Sequence, residues 1–200
     1  MLWNKEQNPP RVVLASRSPR RQELLRQMGI REFEIHPAVG EERCPDSCTP
    51  DERVRALPWG KQCEVRKSCG TEPLLLAADT LVFLDDAILG KPKDEADALR
   101  MLLLLQGRSH TVRTGVSVAW GEREACFSVS TEVFFLPASE EELWSYIRTG
   151  EPMDKAGAYG IQGRGALLIE RIDGDFYNVM GLPIARLAAV LRDFGWTLFS

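Results

Sequence analysis

The chain has 200 residues, of which 44% are hydrophobic and 27% are charged, proportions that are typical of a globular protein with one buried core. Its formal charge of -4 and pI near 5.4 argue against a protein that coats nucleic acid. No apolar run reaches membrane-spanning length, and the polar start MLWNKEQNPP is unlike a signal peptide. We therefore expect a cytoplasmic protein that partners neither nucleic acid nor membrane.

The first predicted unit is a strand, a hydroxyl-rich turn and a helix within residues 11–29, after a flexible segment over 1–10. The apolar run 12–15 is typical of a buried strand, and Ser18 followed by Pro19 is typical of a helix start. Gly29 is typical of a helix C-terminus. Basic residues in a first helical turn oppose the helix dipole, so their presence favours an external anion such as phosphate. The alternative is a solvated basic patch; the residues concerned are Arg17, Arg20 and Arg21.

The remaining elements predict a mixed sheet in an α/β or α+β layer fold, because strands and helices alternate early and strands then pair antiparallel. Pro58 predicts a kink or a late start in the second helix. In chain order we predict a strand over 34–39, a loop over 40–50, a helix over 51–67, a strand over 74–79, a hairpin over 80–89, a helix over 94–106, strands over 110–120 and 124–136, a helix over 139–148, a glycine-rich loop over 150–165, a strand over 166–172 and a helix over 182–194.

Asp79 is the sharpest candidate for chemistry, since a carboxylate that ends an apolar strand lies where ligand clefts often open. It could bind a metal or act as a general base for water, and the alternative is a polar residue that starts a turn. Glu41 and Glu42 could share a metal or simply belong to a solvated loop. Lys91 lies in a restrained Gly-Lys-Pro turn, and Lys61 in a helical stretch is exposed by default.

The glycine-rich loop carries Asp154, Lys155 and Gln162, and its glycine density indicates tight turning, close backbone approach or a mobile surface loop. It lacks the spacing of a P-loop. Cys44 and Cys48 lack a second ligand pair, so we expect free thiols and no zinc. Several cations and carboxylates without a strong nucleophile favour metal-assisted attack of water on a phosphate chain.

Several long segments resemble the Maf family of nucleotide pyrophosphatases, in the family's order and over nearly the whole chain. They are LASRSPRRQELL (14–25), AADT (77–80), LGKP (89–92), QGRSHTVRTGV (106–116), GEPMDKAGAYGIQGRGA (150–166) and GDFYNVMGLP (174–183). The resemblance implies a single domain over 11–195. It implies an elongated, mixed α/β fold like that of inosine triphosphate pyrophosphatases, with two lobes around a central mixed sheet and a cleft between them. It also implies hydrolysis of a nucleoside triphosphate to the monophosphate and pyrophosphate, a divalent metal (Mg²⁺ or Mn²⁺) and a homodimer.

The resemblance also implies roles for individual residues. Asp79 and Glu41, or Glu42 in another register, match acidic metal-binding or catalytic positions, and Lys61 and Lys91 match phosphate-facing lysines. Thr80 and Gln162 match the subfamily acting on dTTP and UTP. The other carried-over residues bind phosphate or close the site, namely Ser16, Arg20, Arg21, Asp154 and Lys155.

One departure concerns the surroundings of Lys61, where Pro58 and Gly60 replace the family's alanine-rich helix. Two rival functions stay open from sequence. The first is a nucleotide-binding regulator of cell division or septum formation without catalysis. The second is a pyrophosphatase for 7-methyl-GTP.

Overall fold

The computed structural model describes residues 10–40 and 48–196. Seven strands lie in these ranges, namely β1 (Val12–Leu14), β2 (Glu34–Ile35), β3 (Leu74–Leu84), β4 (Ala87–Leu89), β5 (Ser109–Trp120), β6 (Arg123–Phe135) and β7 (Ile169–Asp173). The α-helices of the described part are α1 (Pro19–Gln27), α2 (Pro50–Cys69), α3 (Glu95–Leu105), α4 (Glu140–Ile147), α5 (Phe176–Met180) and α6 (Ile184–Asp193). Three short 3₁₀ segments cover Glu151–Asp154, Ala156–Ala158 and Gly163–Leu168.

The strands form one mixed sheet in the order β2-β1-β3-β5-β6-β7, with β4 paired to β3. Strand β1 is parallel to both β2 and β3, whereas β4 and β7 are antiparallel to their partners β3 and β6. The predicted mixed α/β fold with a central sheet is therefore confirmed, and so is the hairpin at β3 and β4.

The chain divides into two compact units. Unit 1 contains residues 1–79, 114–129 and 181–200, and unit 2 contains residues 80–113 and 130–180. In unit 1, β1 and β3 contribute Val13, Ala15, Leu75 and Ala77 to a buried apolar cluster. In unit 2, the cluster includes the buried face of α3, which is Ala98, Met101, Leu102 and Leu105 as its helical spacing predicts. The single domain over 11–195 stays a prediction, and most of the proposed flexible segment over 1–10 lies outside the described residues.

Local signals explain where several helices begin. Ser18 caps α1 with Pro19 at its first position, Asp94 caps α3, and Ser139 forms a capping box with Glu142 at the start of α4. Among the described helices, none is both long and apolar enough to cross a bilayer.

The predicted late start of α2 is wrong. The helix begins at Pro50, because Thr49 and Glu52 form a capping box and Pro50 needs no hydrogen bond there, and it continues through Pro58.

Two strand boundaries and one helix also differ from prediction. Residues 166–168 belong to a 3₁₀ segment and not to a strand, and β2 is shorter than the predicted 34–39. Helix α5 has no predicted counterpart, since five residues are too few to show helical periodicity. It is held in unit 2 by the buried Asn178, whose Nδ2 donates to the Val112 carbonyl at 3.0 Å and to Thr131 Oγ1 at 2.9 Å.

Candidate active site

The turn from β1 into α1 is built from two serine hydroxyls. Ser16 Oγ accepts from the backbone N–H of Ser18 at 3.2 Å, and Ser18 Oγ accepts from that of Arg21 at 3.5 Å. These bonds leave a helix N-terminus directly after a parallel strand, an arrangement suited to anion binding. Arg20 is half-buried in the first turn of this helix.

Arg21 is a buried arginine that donates hydrogen bonds to two residues of unit 1. Its side chain is only 9% exposed, its Nε donates to the Gly181 carbonyl at 2.8 Å, and one terminal nitrogen donates to Ser16 Oγ at 3.0 Å. The guanidinium therefore sets the position of the Ser16 hydroxyl and ties α1 to the segment before α6. Its predicted place among the substrate-binding residues stays a prediction.

The parallel register of β1 and β3 brings Ser16 and Asp79 close together in unit 1, at the edge of the sheet where β1 ends. Strand β3 itself continues through Asp79 to Leu84, so the predicted strand end at Asp79 is wrong. The parallel register pairs Leu14 with Leu76, so Ser16 follows β1 at the level where β3 reaches Ala78, one residue before Asp79. Ligand sites of α/β sheets characteristically lie at this edge.

Lys61 of α2 forms an ion pair with Asp79 of β3. Lys61 Nζ lies 2.6 Å from Asp79 Oδ1, and each side chain is 15% exposed. The pair is thus largely shielded from water but still accessible to a ligand, and opposite charges in such surroundings attract more strongly than on an open surface. Two of the predicted site residues are therefore in direct contact.

Helix α2 packs closely against β5 near Pro58. Proline has no N–H, so the Val54 carbonyl four residues earlier loses its helical partner. This carbonyl packs against Gly115, where an added Cβ would lie 1.9 Å from the Val54 oxygen. Pro58 and Gly115 thus allow α2 to approach β5 closely, one turn before Lys61.

A buried hydrogen bond fixes α2 at the residue after Lys61. Ser117 Oγ donates to Gln62 Oε1, and both side chains are fully buried. Within the part of the chain that is described, Gln62 Nε2 has no hydrogen-bond partner. Sequence reasoning missed this pair, because a lone glutamine in a helix carries no local signal of burial.

Glu64, one turn beyond Lys61, holds the chain that leads toward Glu41. Its carboxylate accepts from the backbone N–H of Val39 at 2.7 Å and from that of Gly40 at 3.0 Å. Glu41 itself and its alternative Glu42 lie outside the described residues.

In unit 2, Glu151 is the centre of the glycine-rich segment, a role that sequence reasoning also missed. Its carboxylate accepts from the backbone N–H of Arg164 at 2.9 Å, from that of Gly165 at 3.0 Å, and from the Tyr146 hydroxyl at 3.0 Å. Burial raises the pKa of Glu151, but these donors outweigh that effect and the net pKa is lowered below its ordinary 4.5. The predicted loop over 150–165 is an ordered, hydrogen-bonded structure.

Lys155 also forms its hydrogen bonds within this segment. Its Nζ donates to the Glu151 carbonyl at 2.5 Å and to Asp154 Oδ1 at 2.7 Å. The backbone N–H of Gly157 donates to the Gly90 carbonyl at 3.0 Å, which ties the residue before Lys91 to the same segment. Of the predicted residues in unit 2, Lys91 and Asp154 are exposed, and Thr80, Lys155 and Gln162 are half-buried.

The family model for Maf-like protein matches residues 11–194. The chain belongs to the Maf family. The resemblance drawn from its motifs is thereby confirmed.

Two relatives of this Maf chain are similar over most of its length. The dTTP/UTP pyrophosphatase of Bacillus velezensis is 46% identical over 184 residues, covering 92% of this chain and 96% of the relative. The dTTP/UTP pyrophosphatase of Thermococcus gammatolerans is 48% identical over 189 residues, covering 94% and 99%. A solved HAM1 protein from Coxiella burnetii shares the fold at a TM-score of 0.51 and 13% identity, covering 92% of this chain and 99% of that one.

The donors at the Maf site suit a hard cation that is shared with substrate. No group of three or more His, Cys, Asp or Glu side chains that could hold a metal ion occurs within residues 10–40 and 48–196. Asp79 offers carboxylate oxygen, and Mg²⁺ is commonly held by one or two carboxylates together with substrate phosphates. The donor chemistry of Asp79 therefore fits Mg²⁺ or Mn²⁺ and is unlike a closed zinc site.

Proposed function

We propose that this Maf protein hydrolyses dTTP and UTP to the nucleoside monophosphate and pyrophosphate. The observation that carries the proposal is the Lys61–Asp79 pair, in which Asp79 lies next to the level where β1 ends and leads into α1. A shielded acid, a cation and an anion-binding helix end are the groups that hydrolysis of a phosphate chain needs. The names of the relatives, dTTP/UTP pyrophosphatase, supply the substrate in this proposal.

In this proposal the phosphate chain is bound by the β1–α1 turn and by lysines. Ser16 donates its hydroxyl to a phosphate oxygen, Arg20 neutralises phosphate charge, and Arg21 holds Ser16 in place. Lys61 and Lys91 neutralise the charge that grows on the pyrophosphate leaving group. Substrate phosphates compete with Asp79 for Lys61, so binding frees the carboxylate to accept a proton.

Asp79 orients a water molecule and takes its proton as the oxygen attacks the α-phosphorus. The bond between the α-phosphorus and the bridging oxygen breaks, and pyrophosphate leaves. We propose that Asp79 and Glu41 hold a divalent cation, Mg²⁺ or Mn²⁺, which when bound supplies positive charge to the phosphates.

The remaining expectations enter the proposal as roles to be tested. Thr80 and Gln162 offer a hydroxyl and an amide that match the carbonyl and imide edge shared by thymine and uracil. Asp154 and Lys155 belong to the segment that closes over the substrate. We propose a cytoplasmic homodimer that binds neither nucleic acid nor membrane and that removes nucleotides unsuitable for nucleic acid.

The test is a panel of nucleotides with the purified protein and Mg²⁺ or Mn²⁺, with release of pyrophosphate and of phosphate measured separately. We expect dTTP and UTP to give monophosphate and pyrophosphate, and chelation of the metal to stop turnover. In ¹⁸O-labelled water the label should appear in the monophosphate, because the attacked atom is the α-phosphorus.

Label in pyrophosphate would place the attack at the β-phosphorus and overturn the mechanism. A marked preference for 7-methyl-GTP would overturn the substrate assignment. Tight nucleotide binding without any turnover would favour the regulatory alternative.

A further inference from the structure

A thiol, an imidazole and a carboxylate lie in line on unit 1, apart from the candidate active site. Cys69 Sγ is 3.2 Å from His36 Nδ1, and His36 Nε2 is 3.0 Å from Glu34 Oε2. Cys69 is the last residue of α2, eight residues beyond Lys61, which corresponds to about 12 Å along a helix axis. None of these three residues takes part in the proposed hydrolysis.

The hydrogen bonds determine which nitrogen of His36 is the base. A carboxylate only accepts, so the bond to Glu34 requires the proton of a neutral imidazole to be on Nε2. Nδ1 is then left with a lone pair that faces the Cys69 thiol. This is the arrangement of a nucleophile, a base and a group that orients the base.

Glu34 stays ionised and therefore keeps orienting His36. Hydrogen bonds from the Arg11 guanidinium, whose Nε lies 2.5 Å from Glu34 Oε1, are the main cause that lowers the pKa of Glu34 to about 2. Arg11 also interacts electrostatically with Cys69 and with a second carboxylate, Glu72.

The Cys69 sulfur is held in position on one side and remains partly exposed to solvent. Cys69 packs against the apolar cluster of unit 1 that includes Val65 and Ala77, which limits its movement on one side. Its side chain is half-buried, and Ser68 Oγ lies 3.7 Å from the sulfur. A small uncharged oxidant can therefore reach a thiol whose base is already in place.

We propose that Cys69, His36 and Glu34 form a reactive thiol site that small hydroperoxides oxidise to a sulfenic acid. The Cys69 thiol gives its proton to His36 Nδ1, and the sulfur attacks a terminal oxygen of hydrogen peroxide. The S–O bond forms as the O–O bond breaks, and the leaving hydroxide takes the proton from His36 and departs as water. Sulfur loses two electrons and the peroxide gains two.

Cys126 and Cys63 are internal controls in the same chain. Cys126 Sγ donates to the Arg55 carbonyl at 3.5 Å, and burial raises the pKa of its thiol, which makes it a poor nucleophile. Cys63 is a half-buried residue of α2 like Cys69. An ordinary thiol is about 3% thiolate at pH 7, so proton transfer to His36 can raise reactivity by up to about 30-fold.

The experiment treats the whole protein with hydrogen peroxide at pH 7, traps sulfenic acid with dimedone, and measures the labelling rate of each cysteine by peptide mass spectrometry. We expect Cys69 to be labelled about tenfold faster than Cys63 and Cys126. His36→Asn should reduce the Cys69 rate to that of Cys63, and Glu34→Gln should reduce it to a smaller extent. Cys69→Ser should abolish the fast phase and leave pyrophosphate release unchanged.

Equal labelling of the three cysteines in the native protein would overturn the proposal without need of any variant. A Cys69 rate that survives His36→Asn in a protein with an unchanged circular dichroism spectrum would also overturn it. Because the readout is labelling and not turnover, failure here leaves the proposed hydrolysis untouched.

Discussion

Lys61 Nζ lies 2.6 Å from Asp79 Oδ1, joining the middle of α2 to the point where β3 passes from unit 1 into unit 2. Neither side chain is more than 15% exposed, so water screens the attraction between the two charges only weakly. The pair places an acid and a cation together before substrate binds. In the proposed reaction the substrate phosphates replace Asp79 as the ion-pair partner of Lys61.

Asp79→Asn should remove nearly all pyrophosphate release, because the amide cannot accept the proton of the attacking water. We expect a loss of at least about 100-fold in kcat, the scale of a lost general base. Circular dichroism should show a retained fold, with Tm reduced by a few degrees since Lys61 loses its partner. Turnover close to that of the native protein would contradict the assignment of Asp79.

Gly115→Ala should destabilise unit 1 and reduce turnover together. Its Cβ would lie 1.9 Å from the Val54 carbonyl oxygen, which is backbone, so α2 and Lys61 must shift. We expect a cost of about 1–3 kcal/mol, measured by denaturant unfolding, and a lower kcat. Gly60→Ala is the matched control, because Gly60 lies in α2 itself and an added Cβ there meets nothing within 4 Å. This substitution should stabilise by about 0.5–1 kcal/mol. Equal effects of the two substitutions would contradict the close approach.

Neighbouring arginines in α1 should respond differently to substitution. Arg21→Lys should lower stability by about 1–3 kcal/mol, because one ammonium cannot keep the bonds to both Ser16 and Gly181 in their present directions. Arg20→Met should lower stability less than Arg21→Lys does and raise KM for dTTP. Thermal unfolding and steady-state kinetics on both variants measure this, and a larger loss of stability in the Arg20 variant would contradict the assignment.

Glu151→Gln should lower stability in a pH-dependent way. The folded-state pKa of Glu151 is below its ordinary 4.5, so the carboxylate contributes stability that is present above pH 4.5 and lost as pH falls through the folded value. The difference in unfolding free energy between native protein and variant should therefore shrink below pH 4.5. Glu170→Gln, at an exposed position of β7, is the control and should show no such trend.

His110 should make unit 2 less stable in mild acid. Burial lowers its pKa to about 4, and its Nε2 is 2.7 Å from the Tyr159 hydroxyl. Between pH 6.5 and 4 the unfolded chain binds a proton that the folded protein does not, so unfolding free energy falls by about 3 kcal/mol over this range. His110→Gln should flatten this dependence in denaturant titrations. Parallel pH profiles for native protein and His110→Gln would contradict it.

Local sequence patterns predicted much of the fold. Three helix starts could be predicted from the sequence, because a cap depends on neighbours within one turn. They are Ser18, Asp94 and Ser139. Apolar spacing predicted the buried face of α3 for the same reason. Where two local signals conflict, the sequence does not show which one decides. In α2 the capping box at Thr49 starts the helix at Pro50 despite the proline inside it.

The sequence by itself determined the alternating elements, the acid that follows the apolar first half of β3 and the family motifs, since these depend on residues close together in the chain. Only the tertiary structure decided that Lys61 pairs with Asp79, that Arg21 bonds to Gly181 and that Glu151 organises the glycine-rich segment. Arg21 and Gly181 are 160 positions apart, and periodicity carries no information about such a partner. A side chain's partner follows from how strands and helices pack, and packing is a property of the whole fold.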